Sequence, residues 1–263
     1  MNAIVQAEGA PVEQGRAQGS ALREVIRGEL ARQRESLPWL ASAALARRVR
    51  SRSARALETQ LPWQRERIEG MAHAARVSER RMLAGEARVR VQGAAFHDGA
   101  RLQAVFDFPR ELESLVVLRR SAPDAGGFAS AELTLAPLAG CLCGVNSEGI
   151  AVVCARDLSR DQISLRFLAQ ELLFRARDLD AGVDHVRRRA SYAGGSGILV
   201  AADARGEARV LRLASGELEV DSAPALPRAA RARQIELDPK LSRLEFLGLD
   251  GAREAVRLDA SPR

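Results

Sequence analysis

The chain has 263 residues, 46% of them hydrophobic and 28% charged, and no apolar run approaches the roughly 18 residues that a membrane-crossing helix needs. That length buries a sizeable core without disulfide or metal staples, and the three cysteines, Cys141, Cys143 and Cys154, are odd in number and close together, so they make no disulfide framework. The formal net charge is +6 with a sequence pI near 10.3, but 39 of the 40 basic residues are arginine and only Lys240 is a lysine. Such Ala-rich, Arg-rich, Lys-poor usage fits a GC-rich genome as well as it fits selection for phosphate contacts. The N-terminal stretch MNAIVQAEGAP shows neither a basic nor an apolar signal region, which makes the cytoplasm the expected location.

From Glu13 to about Met82 the pattern is helical, with Ala21, Leu22, Val25, Ile26 and Leu30 on one stripe and with Pro38 and Pro62 cutting the region into three helices. Within it, seven arginines from Arg32 to Arg55 stand against Glu35 alone. Only Trp39 is interleaved as a stacking aromatic, so a solvated helix face is expected there and nucleic acid is not an expected partner. After Gly85 short β-like runs begin, Val89–Phe96 and Arg101–Phe106, separated by the hairpin signal His97-Asp98-Gly99-Ala100. Leu115–Leu118, Gly149–Ala155, Gly197–Ala202 and Ala208–Leu213 continue in that style. Leu165, Leu168, Ala169, Leu172, Leu173 and Ala176 predict an amphipathic helix, and Leu179, Val183 and Val186 a second. Asp238-Pro239 reads as an N-cap followed by proline at the first helical position, opening a short helix through Leu247. Strands and helices in separate runs indicate an α+β fold. The expected organisation is a helical segment over 1–86 packed on a domain over 87–263.

Four stretches carry a resemblance. Gly9–Ile26 (GAPVEQGRAQGSALREVI), Glu66–Val77 (ERIEGMAHAARV), Gly140–Val153 (GCLCGVNSEGIAVV) and the helix pair, strand, turn and strand of Leu165–Val220 resemble, in that order, the isopenicillin N acyltransferase-like proteins among the N-terminal nucleophile hydrolases. The resemblance implies a four-layer αββα sandwich preceded by a helical segment. It also implies a cysteine at the start of the first core strand, exposed by self-cleavage, whose thiol attacks an amide or thioester while its own α-amino group serves as base.

That position falls on Gly93, and residues 79 to 113 contain no Cys, Ser or Thr. The family's arginine after the hairpin corresponds to Ala104, its aspartate to Asp107, and an asparagine expected later to Arg156. The resemblance therefore describes a degenerate pocket of Gly93, Ala104, Asp107, Asn146 and Arg156 with no catalytic residue assigned, in which Asp107 is the candidate acid or base. Asn146 with Gly149 is expected in a turn, Cys141, Cys143 and Cys154 in the core, and His97 in the hairpin turn rather than paired with Asp98. His73 and His185 complete the histidines. Neither a metal site nor a cofactor is expected, since a Cys-x-Cys pair with one further cysteine lacks zinc spacing. The expected function is a non-catalytic relative that binds a small amide or acyl ligand or serves as partner subunit of a hetero-oligomer in secondary metabolism. The alternative is an enzyme of altered mechanism, a cyclisation, elimination or acyl transfer, using Asp107 or a relocated cysteine. Nothing suggests a membrane partner.

Overall fold

The computed structural model describes residues 3–35, 54–89, 91–108, 110–157, 163–192, 197–222, 234–247 and 253–258. The first element is a strand: in β1 (Ala3–Gly9), Val5 and Ala7 are buried while Ile4, Gln6 and Glu8 are exposed, the alternation of an edge strand. It runs parallel to β4 (Val116–Pro123), which pairs antiparallel with β5 (Ser130–Leu135), then β6 (Cys143–Asn146), then β7 (Ile150–Asp157).

β7 is the fork of the sheet. Its residues 151–153 pair with β6 and its last two with β2 (Val91–His97), while the opposite edge carries β8 (Gly197–Asp203) along its whole length. From β2 the ladder continues through β3 (Leu102–Phe106), β11 (Gln234–Asp238), β12 (Arg243–Leu247) and β13 (Arg253–Arg257). β8 continues into β9 (Ala208–Ala214) and β10 (Glu217–Ser222) as a three-strand branch.

The ten-strand path from β1 to β13 curls into a half-barrel that brings β11 and β12 close to β5 and β6. The sheet's own far end thus covers one face, and helices cover the other. Cross-strand partners share a face, so Arg119 and Glu132, opposite each other on β4 and β5, mark the helical side. Arg119 reaches Gln18 in α1 (Pro11–Ala21), and Glu132 reaches Gln170 in α7 (Leu165–Arg175). Ser121, on the same face, receives a hydrogen bond from Arg67 in α4 (Pro62–Ala75). With both faces covered, every residue of β5 and β6 is buried.

This architecture corrects the expected αββα sandwich. The α+β class stands, but the strands form one continuous curled ladder with a three-strand branch, and among the described residues no helix packs extensively on β11, β12 or β13. β1 precedes the helical stretch, which begins at Pro11.

The remaining helices are α2 (Arg23–Glu35), α3 (54–60), α5 (Glu79–Arg88), α6 (Arg110–Glu113) and α8 (Leu179–Arg189). Pro38 and most of the arginine-rich run lie outside the described residues. Pro62 opens α4 as expected, and Ser164 and Asp178 cap α7 and α8 by accepting from the backbone N–H groups of Arg166 and Ala181. No helix among the described residues is long and apolar enough to cross a membrane.

α1 and α4 pack backbone to backbone. A Cβ at Gly15 would lie 2.0 Å from the carbonyl oxygen of Arg67, and one at Gly70 would lie 2.0 Å from that of Val12. Those glycines belong to the first two stretches quoted for the resemblance, and their role here is to let two helices touch.

The short helix expected after Asp238-Pro239 is a hairpin instead. Asp238 Oδ1 does accept from the backbone N–H of Leu241, 3.1 Å away, as a helix cap would. The chain then turns back, because Leu244 and Phe246 alternate with Arg243 and Glu245 at the strand period and bury their side chains.

Candidate functional site

The expected pocket maps onto the corner where β7, β2 and β3 meet. Gln92 pairs with Arg156, Gly93 pairs with Phe106, and the backbone N–H of Asp107 donates to the carbonyl of Gln92 at 3.2 Å. Gln92, Arg156 and Asp107 therefore lie in one row, and all three are exposed. The other two expected positions are elsewhere. Ala104 is fully buried within β3, between Ala95 and Ile235. Asn146 is buried at the end of β6, donating to the carbonyls of Leu173 (3.0 Å) and Ala176 (2.9 Å) and accepting from the N–H groups of Glu148 and Ile150. Its amide is fully used in holding the turn against the end of α7.

Gly93 leaves no gap. A Cβ there would stand 2.5 Å from the carbonyl oxygen of Val105 and 2.7 Å from Cδ1 of Phe106, so backbone already occupies the space a nucleophile's side chain would need. The cysteines supply no substitute: all three are free and fully buried, and burial pushes each thiol's pKa up, away from the nucleophilic thiolate. Among the described residues no group of three or more His, Cys, Asp or Glu converges as a metal site requires.

Beneath the helices lies a layer of buried charge that sequence reasoning missed. Arg166 donates to the carbonyls of Val89 (2.5 Å) and Glu86 (2.6 Å), directly before β2, and sits 3.4 Å from the Glu86 carboxylate and 3.6 Å from that of Asp157. Nearby, Arg119 donates to Glu132 (2.9 Å from Nε) and to Gln18 (2.6 Å), while Ser130 and Gln170 also donate to Glu132.

Both clusters stitch the same loop. Residues 136–141 are buried throughout, and buried backbone groups need partners. Gln18 donates to Leu138 O (2.9 Å), the Thr134 hydroxyl donates to Gly140 O (2.7 Å), and Glu86 accepts from the N–H groups of Ala139 and Gly140. The available signal was a charge interrupting an apolar run, as in Val117-Leu118-Arg119 and Ala131-Glu132-Leu133.

The histidines separate. His97 is not in the turn; it is the last residue of β2, buried, with no partner on Nε2 among the described residues, and burial lowers its pKa. His185 meets the buried carboxylate of Glu171 at 2.7 Å, and the Trp63 indole N–H donates to the other oxygen. Trp63 stacks on Phe174 with ring centroids 4.2 Å apart, so this group fastens α4 and α8 onto α7.

His73 lines a different feature, a cleft of about 340 Å³ shared with Arg16, Ser20, Arg23, Ala74 and Arg76. Arg23 is braced by donation from Nε to Ala74 O (2.9 Å), and Arg16 pairs with Glu13 at 2.6 Å. Arg76 ends α4 in the left-handed conformation with φ 56°, its N–H on the carbonyls of Ala72 and His73. These residues come from three separate elements, so their convergence was not visible as a run. Compared with models of known protein families and with curated protein sequences, the chain matches none.

Proposed function

We propose that this protein acts by binding rather than by acyl-transfer catalysis, as a catalytically silent relative of the acyltransferase-like hydrolases serving as a small-ligand-binding protein or a partner subunit. The observation that carries this reading is the closure of position 93. Its side-chain space is filled by Val105 O and Phe106, and neither a hydroxyl nor a thiol occurs between residues 79 and 113. Loss of the nucleophile removes both self-cleavage and the covalent intermediate. The chain is therefore expected to purify as a single uncleaved species of 28.5 kDa by intact-mass measurement, and to leave a panel of amides and acyl thioesters at background rates. Two fragments meeting near residue 93, or turnover abolished by replacing a single cysteine, would overturn the proposal.

A second reading rests on the exposed row of Gln92, Asp107 and Arg156, in which a carboxylate and a guanidinium occupy neighbouring positions at a strand corner. Acid–base chemistry needs no covalent nucleophile. Turnover in that panel lost in Asp107→Asn and retained in each cysteine variant would favour it.

A further inference from the structure

We infer that the cleft between α1, the start of α2 and the end of α4 is a binding site for a small phosphate-bearing anion. The inference is independent of how the strand corner is read.

Its basis is uncompensated charge around a concavity. Arg16, Arg23 and Arg76 line the cleft together with His73, and Glu13, one turn before Arg16 on α1, is engaged by Arg16. Glu24, at the start of α2, is 3.5 Å from Arg27 instead. Among the described residues neither Arg23 nor Arg76 has a carboxylate within salt-bridge distance. A structural role as counter-charge for the C-terminus of α4 accounts for only part of this, because a helix terminus carries about half an elementary charge. The carbonyls of Ala72, His73 and Ala74 are moreover already taken by the N–H groups of Arg76 and Val77 and by Arg23 Nε.

The chemistry of the lining selects the ligand class. Guanidinium groups offer planar forks that match phosphate oxygens, and Ser20 adds a hydroxyl donor. Two cations without acidic partners balance a dianion better than a monocarboxylate. The bracing of Arg23 by Ala74 O fixes one guanidinium before any ligand arrives, which reduces the ordering cost of binding. A cleft of about 340 Å³ suits a small molecule with a terminal phosphate, and this chemistry is shared by free pyrophosphate and by phosphorylated metabolites.

The test is isothermal titration calorimetry on the full chain with inorganic phosphate, pyrophosphate, acetate and a short DNA duplex, repeated at raised salt. Saturable one-to-one binding of pyrophosphate is expected, on the order of tenfold tighter than acetate and weakened by salt. Arg76→Gln, on an exposed side chain, is expected to weaken it by about tenfold, and Arg16→Gln with Arg76→Gln by more. Arg205→Gln, an exposed arginine on the turn between β8 and β9, is the control for diffuse attraction to a chain of net charge +6. Thermal midpoints without ligand are expected to be unchanged in all these variants. The inference is overturned by absence of saturable binding, by equal weakening in the Arg205 control, or by a duplex that binds more tightly than pyrophosphate and depends on Arg76. A phosphorylated sugar that competes with pyrophosphate would identify the metabolite form of the ligand.

Discussion

The two ionic clusters under the helices use the same residue types and push their carboxyl groups in opposite directions. Around Glu132 stand two buried guanidiniums, Arg119 and Arg67; around Arg166 stand two buried carboxylates, Glu86 and Asp157. Burial alone would raise any carboxyl's pKa. At Glu132 that push is overcome by Arg119 and Arg67, with help from the Ser130 hydroxyl, so the group titrates below the ordinary carboxylate value. At Glu86 burial wins, with Asp157 adding to it, and the pKa rises despite Arg166 and the amides of Ala139 and Gly140. The cationic cluster is strained in turn at Arg67, whose pKa burial and Arg119 lower to about 9, still leaving it charged at neutral pH. A carboxylate held ionised between two buried guanidiniums is structurally indispensable, whereas one whose charge burial already disfavours can be replaced by a neutral acceptor at little cost.

The largest effect is therefore expected at Glu132. Glu132→Gln keeps the shape and removes the one negative charge between Arg119 and Arg67, leaving two guanidiniums without compensation in the interior. Breaking a buried pair in this way costs about 3–5 kcal/mol, measurable by urea unfolding at pH 7. A loss below about 1 kcal/mol, the range of an exposed pair, would mean that water reaches the cluster and that the comparison fails.

Arg166→Met is expected to cost less, on the order of 2–3 kcal/mol. It deprives the carbonyls of Val89 and Glu86 of their donors, and a buried acceptor left unsatisfied costs about 1–3 kcal/mol. Glu86, whose pKa burial already raises, can take up a proton once Arg166 is gone, an escape that Arg67 and Arg119 do not have at neutral pH. The proton should be detectable: unfolding of this variant at pH 7 releases more protons than wild type, which comparison of the unfolding free energy at pH 6 and pH 8 would reveal.

How much of this was legible follows from where each residue's partners lie. The hairpin of β2 and β3 was visible because Asp98-Gly99 is a local turn signal, and Asp98 Oδ1 does accept from the N–H groups of Ala100 and Arg101. α7 and α8 were visible because their apolar spacing and caps are local too. β5 escaped because both its faces are buried, which erases the alternation that announces a strand. The helix expected from Asp238-Pro239 went wrong because a capping aspartate serves a hairpin turn equally well. At the strand corner, the adjacency of Gln92, Asp107 and Arg156 depended on pairing across three strands, yet the absence of a nucleophile was already plain in the sequence. The closure of Gly93 was not, since it is caused by a backbone carbonyl of the neighbouring strand.

The smallest effect belongs to Glu86, and it carries a sign. Because its folded pKa is raised above the ordinary carboxylate value, the folded state binds the proton more tightly than the unfolded one. The stability this contributes is fully present below about pH 4.5, the unperturbed value, and is lost as pH rises through the folded pKa. Glu132 has the opposite slope, since its depressed pKa contributes stability above that value and loses it as pH falls. Glu86→Gln fixes the side chain in a neutral form that still accepts from Ala139 and Gly140, at the cost of turning an amide toward Arg166. Its loss at pH 7 is expected to stay within about 1 kcal/mol, and relative to wild type the variant should fare better at pH 7 than at pH 4.5. Glu132→Gln should show the reverse, faring relatively better in acid, where wild type has begun to lose its carboxylate. Measured as unfolding free energy against pH, the two difference curves should slope in opposite directions, and parallel slopes would overturn the contrast between Glu86 and Glu132.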